Sequence, residues 1–268
     1  MTGINYLDKQ LSPVAMRCSF KGCPCRVGCW HLKRAHRVSC NPKFPEDVRR
    51  AYAGGPPVLI QKRLEAPLHW KKAQRIGVQF MGDWMDDQVQ PQWIDRMIGV
   101  MFKAQQHQYF TLTKNPARLV REMPWINNSW GGLPTCVYNG VSITDQEDAD
   151  RMIPELLRIP GKHWISIEPF LKGPIDLGFT KVVPTPCEAW PNSATEFATF
   201  ISSEIQWVII GCESGPNRRP MPLEWAVDVV QQCQAAGVPV WVKQIDLNGK
   251  VCHDINLFPE ALKVRQLP

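Results

Sequence analysis

NGVSITDQEDADRMIPELLRIPGKHWISIEP, residues 139–169, is the stretch from which the fold can be read. Two short apolar runs, Asn139–Ile143 and His163–Ile167, flank a segment, 146–158, whose apolar residues recur at i, i+3 and i+4. Short apolar runs read as strands, and the middle segment reads as an amphipathic helix. A strand, a helix and a second strand in this succession form a parallel βαβ unit.

The same rhythm extends in both directions. Strand-like runs occur at Ile76–Met81, Tyr109–Thr113, Trp207–Gly211 and Pro239–Lys243. Helical patterns lie between most of them: 91–104 and 115–121, each with a proline in its first turn, and 223–236, ended by Gly237. A further strand at Pro13–Arg17 brings the count to about six to seven parallel strands. The pattern predicts an α/β fold, an incomplete or irregular (β/α) TIM-type barrel, with an open sheet as the alternative. All 268 residues are read as one barrel domain. It carries a cysteine-rich loop and short helix at 18–40 and an irregular segment at 41–75 with one helical turn near 45–52. An insertion is expected at about 172–206, with a helix near 193–202.

Composition narrows the function class. An apolar fraction of 44% with 21% charged residues is that of an ordinary globular chain. No run of eighteen apolar residues and no basic-then-apolar leader appears, so the expectation is a cytoplasmic protein without membrane association. Ten cysteines in a reducing compartment point to metal ligands or catalytic thiols, not to disulfides. The isolated Cys136, Cys187, Cys233 and Cys252 are read as small core or surface residues. Residues 17–75 hold 14 Lys and Arg against Glu46, Asp47 and Glu65, a local charge of +11 within a net +6. A segment this basic suits nucleic acid or an anionic cofactor, or is a solvated exterior.

The thiols concentrate in Cys18-Ser-Phe-Lys-Gly-Cys23-Pro-Cys25-Arg-Val-Gly-Cys29-Trp30. Cys18, Cys25 and Cys29 form C-x6-C-x3-C, with Cys23 as an alternative middle ligand. Three thiolates suit a four-iron four-sulfur cluster with one iron open, as radical chemistry with S-adenosylmethionine requires. Four thiolates, or three with a histidine, suit structural zinc, and Cys25, Cys29, His36 and Cys40 offer such a spacing.

In a parallel barrel, the C-terminal strand ends carry the site. Here those ends are Asp83, Thr113-Lys114, Ser142 with Thr144-Asp145, Glu168, Glu213-Ser214 and Lys243-Gln244. All would converge on one mouth, to which the first strand also delivers the cysteine loop.

Several segments resemble a phage- and bacterium-encoded family of radical-SAM-like barrels of unknown function, described beside three-Cys-motif partner proteins. They are the loop ending Cys29-Trp-His-Leu-Lys-Arg-Ala-His-Arg, VQFMGDWMDDQV (78–89), FTLTKNPARL (110–119), residues 140–160, SIEPFLKGPIDL (166–177), WVIIGCESGPNRRPM (207–221) and QCQAAGVPVWVKQ (232–244). The family pattern, similar to C-x6-C-x2-C and an aromatic, falls on Cys18, Cys25, Cys29 and Trp30. The last spacing here is one residue longer. Met81-Gly stands where relatives carry serines, and Cys212 where they carry glycine. The resemblance implies an iron–sulfur cluster with S-adenosylmethionine, and a three-Cys-motif protein as partner. It leads us to expect Asp83, Lys114 and Glu168 in catalysis, and Ser142, Glu213, Ser214, Lys243 and Gln244 at the cofactor. A nucleic-acid or nucleobase substrate is the accompanying expectation. The competing expectation is a zinc-stabilised nucleic-acid-binding protein without catalysis.

Overall fold

The computed structural model describes residues 4–20, 22–184, 198–215 and 217–268; of Cys25, Val27 and residues 182–184 and 198–200 only the backbone is described. In chain order the elements begin with β1 (Lys9–Leu11), β2 (Val14–Ala15), α1 (Trp30–Ser39), α2 (Glu46–Ala53), β3 (Val58–Leu59) and α3 (Gln61–Leu64). The alternating part follows: β4 (Arg75–Val78), α4 (Pro91–Lys103), β5 (Gln108–Thr111), α5 (Pro116–Trp130), β6 (Val137–Ile143), α6 (Gln146–Leu157) and β7 (Lys162–Ile167). Then come β8 (Val182–Pro184), β9 (Ala198–Phe200), α7 (Ile201–Glu204), β10 (Ile205–Gly211), α8 (Leu223–Ala236), β11 (Val240–Leu247) and β12 (Lys250–Cys252).

One eight-stranded sheet runs in the order β1-β4-β5-β6-β7-β10-β11-β12. Its first seven strands are parallel. β12 returns antiparallel across a two-residue turn, Asn248-Gly249, in which both φ angles are positive, as the tight hairpin geometry demands. The strand order never reverses. With right-handed crossovers, the connecting helices therefore fall on one face. Side-chain alternation agrees: Val137, Val141 and Ile143 of β6 enter the large core beneath the helices, while Tyr138 joins a second, aromatic core on the other face.

That second face is curled. Three strand spacings separate β5 from β10, about 14 Å in a flat sheet. Yet the rings of Phe110 and Trp207 stand 5.4 Å apart, and Phe80, just past β4, stacks on Trp164 of β7 at 6.3 Å. Gly140 makes room for this cluster, because a Cβ there would lie 2.3 Å from Trp164 Nε1. The N-terminal segment crosses the same face. Leu7 packs on Gly77 of β4, while Tyr6 meets Trp207 and Trp241 edge-on at 5.4 and 6.3 Å. Aromatic side chains thus fill the floor of the curl. The sheet itself is open along β1 and β12.

The expectations need four adjustments. The first strand of the sheet is Lys9–Leu11, not Pro13–Arg17. Pro13 lacks the N–H a ladder needs, and Val14–Ala15 pairs instead with β3 in a separate ribbon. The strand expected over Ile76–Met81 stops at Val78, because Gln79 turns left-handed (φ 57°) and its buried amide bonds both Val14 N and Val14 O. The helix expected over 115–121 runs to Trp130 through Pro124; its far end is held by Met123 and Ile126 in the core and by Trp130 stacked on Phe102 at 5.2 Å. Between β7 and β10 the described residues hold the β8–β9 ribbon and the one-turn α7. The first part of the helix expected near 193–202, up to residue 197, lies outside the described residues; Ala198–Phe200 is not helical but the strand β9, paired antiparallel with β8, and helix begins only at Ile201. No described helix is long and apolar enough to cross a membrane.

Candidate functional site

A cavity of about 830 Å³ opens where the parallel strands end. Strand alternation decides what it contains. On β6, β7 and β11 the inward positions progress from aromatic at the floor to polar at the mouth: Tyr138 to Ser142, Trp164 to Ser166, Trp241 to Lys243.

The polar ends are tied to one another. Asp83 is buried; Oδ2 accepts from Lys114 N at 2.7 Å and Oδ1 from Met85 N at 2.9 Å. Burial pushes its carboxyl up to about 6, against the pull of those donors. Lys114 Nζ donates to Ser142 Oγ at 2.7 Å and Ser142 O at 3.2 Å. Ser142 Oγ donates in turn to Glu168 O at 3.4 Å. The Lys243 ammonium forms an ion pair with Glu168 Oε1. Gln244 is buried and donates to Cys212 O at 2.7 Å, so it braces the end of β10.

The cysteine loop leaves β2 and is held by side chains. Ser19 donates to the fully buried Asp86 twice, from N at 3.0 Å and from Oγ at 2.8 Å. Cys18 N donates to His31 Nε2 at 3.2 Å. Burial holds that imidazole down to about 4, hence neutral. Burial also pushes the Cys18 thiol up to about 11, with the Asp86 and Asp83 carboxylates adding to the effect. On the far side Arg219 spans loop and sheet. It makes three bonds to Glu213 (N and Nε to Oε2 at 2.9 Å each, Nη2 to Oε1 at 2.7 Å), and Nη1 donates to Pro24 O at 2.9 Å. Gly28 packs onto the same carboxylate so closely that a Cβ would sit 2.2 Å from Glu213 Oε1.

A family model described as "Protein of unknown function (DUF5131)" matches residues 1–254. The chain belongs to that family. No curated protein and no solved structure matches it.

In this DUF5131 chain the cavity wall brings together Cys18, Cys23, Cys29, Asp83, Lys114, Ser142, Glu168, Glu213, Ser214, Lys243 and Gln244. Cys25 lies in a single 3-10 turn, Pro24–Val27, and its side chain is outside those described. The donor chemistry, three thiols on one open wall, fits a group held by cysteine sulfurs. Among the described residues no three His, Cys, Asp or Glu side chains meet closely enough to hold a single ion. The set Cys25, Cys29, His36 and Cys40 does not assemble. Cys29 caps the N-terminus of α1 and Cys40 its C-terminus, about 16 Å apart at 1.5 Å per residue.

Several residues of the site were not apparent from the strand-end rule. Asp86 and Arg219 lie three and six residues beyond residues that the rule selects, Asp83 and Glu213. Tyr6 comes from before the first strand, and His31 from α1. The signals were present in Met85-Asp86-Asp87 and in Arg218-Arg219, charged pairs beside marked strand ends. Glu213 faces the cavity wall with both oxygens engaged by Arg219.

Proposed function

We propose that this chain is a radical S-adenosylmethionine-type iron–sulfur enzyme built on a barrel-like curl of its sheet. Cys18, Cys29 and one of Cys23 and Cys25 would hold a four-iron four-sulfur cluster. The observation that carries the reading is a single cavity whose walls are the cysteine loop on one side and the polar strand ends on the other. A closed structural metal site would need no such wall. When bound, the cluster supplies one-electron reduction to S-adenosylmethionine.

The chain's own residues divide the remaining work. The aromatic floor excludes water from below. Lys243, held by Glu168, presents an ion pair to which a zwitterionic group can bind. Ser214 is exposed on the same cavity wall, and Gln244 keeps the end of β10 in register with β11. Lys114 fixes Ser142 and keeps an ammonium N–H toward the cavity. Asp83, with its carboxyl pushed up to about 6, takes or gives a proton near neutral pH.

Anaerobic purification followed by iron and acid-labile sulfide analysis tests this reading. About four of each per chain are expected. A colourless protein with stoichiometric zinc would overturn it in favour of the zinc-stabilised nucleic-acid binder.

A further inference from the structure

The charges around the cavity are unequal in a way that selects a ligand. Every described carboxylate on its wall is engaged: Asp8 by Arg75, Asp83 by two backbone N–H groups, Glu168 by Lys243 and Glu213 by Arg219. Of the cations on the wall only Lys243 has a carboxylate partner among the described residues. Among the described residues Lys9, Arg26, Arg34 and Lys114 line the same cavity with no carboxylate partner. The mouth is thus a place where anionic groups are neutralised and few are repelled.

The helix at the rim extends this surface. Trp30, Arg34 and Arg37 stand at i, i+4 and i+7 of α1, one stripe about 10 Å long, with Lys33 beside it. His31 and Ala35, on the neighbouring stripe, are the buried ones. Arg34 and Arg37 are exposed, and α1 contains no acidic residue. Trp30 is 44% exposed at the cavity edge, an unusual place for the largest apolar side chain unless a flat partner covers it.

We propose that this rim binds a single-stranded polynucleotide, with phosphates on Arg26, Arg34 and Arg37, a base stacked on Trp30, and the adjacent base directed into the cavity. An indole face beside guanidinium groups that track a backbone is the chemistry of single-strand recognition. The reactive groups lie below the rim, so a base within a duplex would not reach them and an unstacked one does. This deepens the enzyme reading by naming its substrate class. It rests on that reading for the chemistry that follows binding, and not for the binding itself.

The test is fluorescence anisotropy with short labelled DNA and RNA single strands, the corresponding duplexes and unlabelled mononucleotide as competitor. It is run on protein as purified and on protein loaded with iron and sulfide. Single strands should bind both forms, more tightly than duplex, with log K falling against log salt at a slope of about −2, the value for three neutralised phosphates. The reversal Arg34→Glu with Arg37→Glu should weaken binding by about tenfold or more. Trp30→Ala should cost about fivefold or more and leave the salt slope unchanged. Circular dichroism confirms that these surface variants fold. Duplex bound as tightly as single strand, a slope near zero, variants at wild-type affinity, or mononucleotide competing as well as the strand would each overturn the proposal. Iron loading without strand binding sinks this inference alone; strand binding without iron sinks the enzyme reading alone.

Discussion

The two walls of the cavity are made by different means. The strand-end wall is fixed by a ladder of backbone hydrogen bonds and by the aromatic floor beneath it, so Ser142 and Lys243 stand where alternation along β-strands puts them, and Lys114, just past β5, is tied to Ser142. Among its described residues the cysteine wall has no ladder. Its described anchors are side-chain bonds: Ser19 to Asp86, Cys18 N to His31, and Arg219 between Pro24 O and Glu213. One wall should fail with the whole protein, and the other by local release.

The largest effect is expected where the floor is cut. Trp164 is fully buried and bonds Thr111 O at 2.9 Å, so Trp164→Ala should cost about 3–5 kcal/mol in urea unfolding and destabilise both walls together. Asp83 gives the next effect, as a pH dependence. Its folded value, about 6, lies above the ordinary 3.8, so the folded state holds the proton more tightly. Stability from this group is fully present below pH 3.8 and is lost as pH rises through 6, by up to about 3 kcal/mol. Unfolding measured from pH 4 to 8 should show that fall in wild type and a flatter profile in Asp83→Asn; parallel profiles would contradict it.

Arg219→Ala removes the bidentate partner of the buried Glu213 and the bond to the loop. A loss of about 2–3 kcal/mol is expected, with rapid proteolysis between Cys18 and Cys29. Cleavage at wild-type rate would show that the latch does not hold the loop. The smallest effect is that of Ser19→Ala, about 1 kcal/mol off the free energy of opening the loop locally. Faster amide exchange should be confined to the loop and the melting temperature unchanged. If the melting temperature fell as far as for Trp164→Ala, the contrast between the walls would be wrong.

The same difference decides what could be read in advance. Six of the seven parallel strands, β4 to β7, β10 and β11, were legible because each is a short apolar run beside a helical period, and the groups at their ends follow from position alone; β1, Lys9-Gln-Leu11, is mostly polar and carries no such signal. Lys114 and Glu168 needed no knowledge of packing. The ends of elements were less legible where a single side chain overrides the pattern, as Gln79 does by turning left-handed to bond β2. The loop's anchors were not legible. Asp86 meets Ser19 across 67 residues and Arg219 meets Pro24 across 195, separations that no local period encodes. The zinc-like spacing shows the converse. Cys29 and Cys40 are close in sequence, but a regular helix places them at its opposite ends.

The central claim is that both walls serve one ligand. Electron paramagnetic resonance of the dithionite-reduced, iron-loaded protein, with and without S-adenosylmethionine, tests it most directly. The account predicts a cluster signal that S-adenosylmethionine shifts in wild type and shifts less in Lys243→Met, a substitution on the opposite wall from the cysteines. An iron-free protein, or a cluster signal indifferent to S-adenosylmethionine, would contradict it.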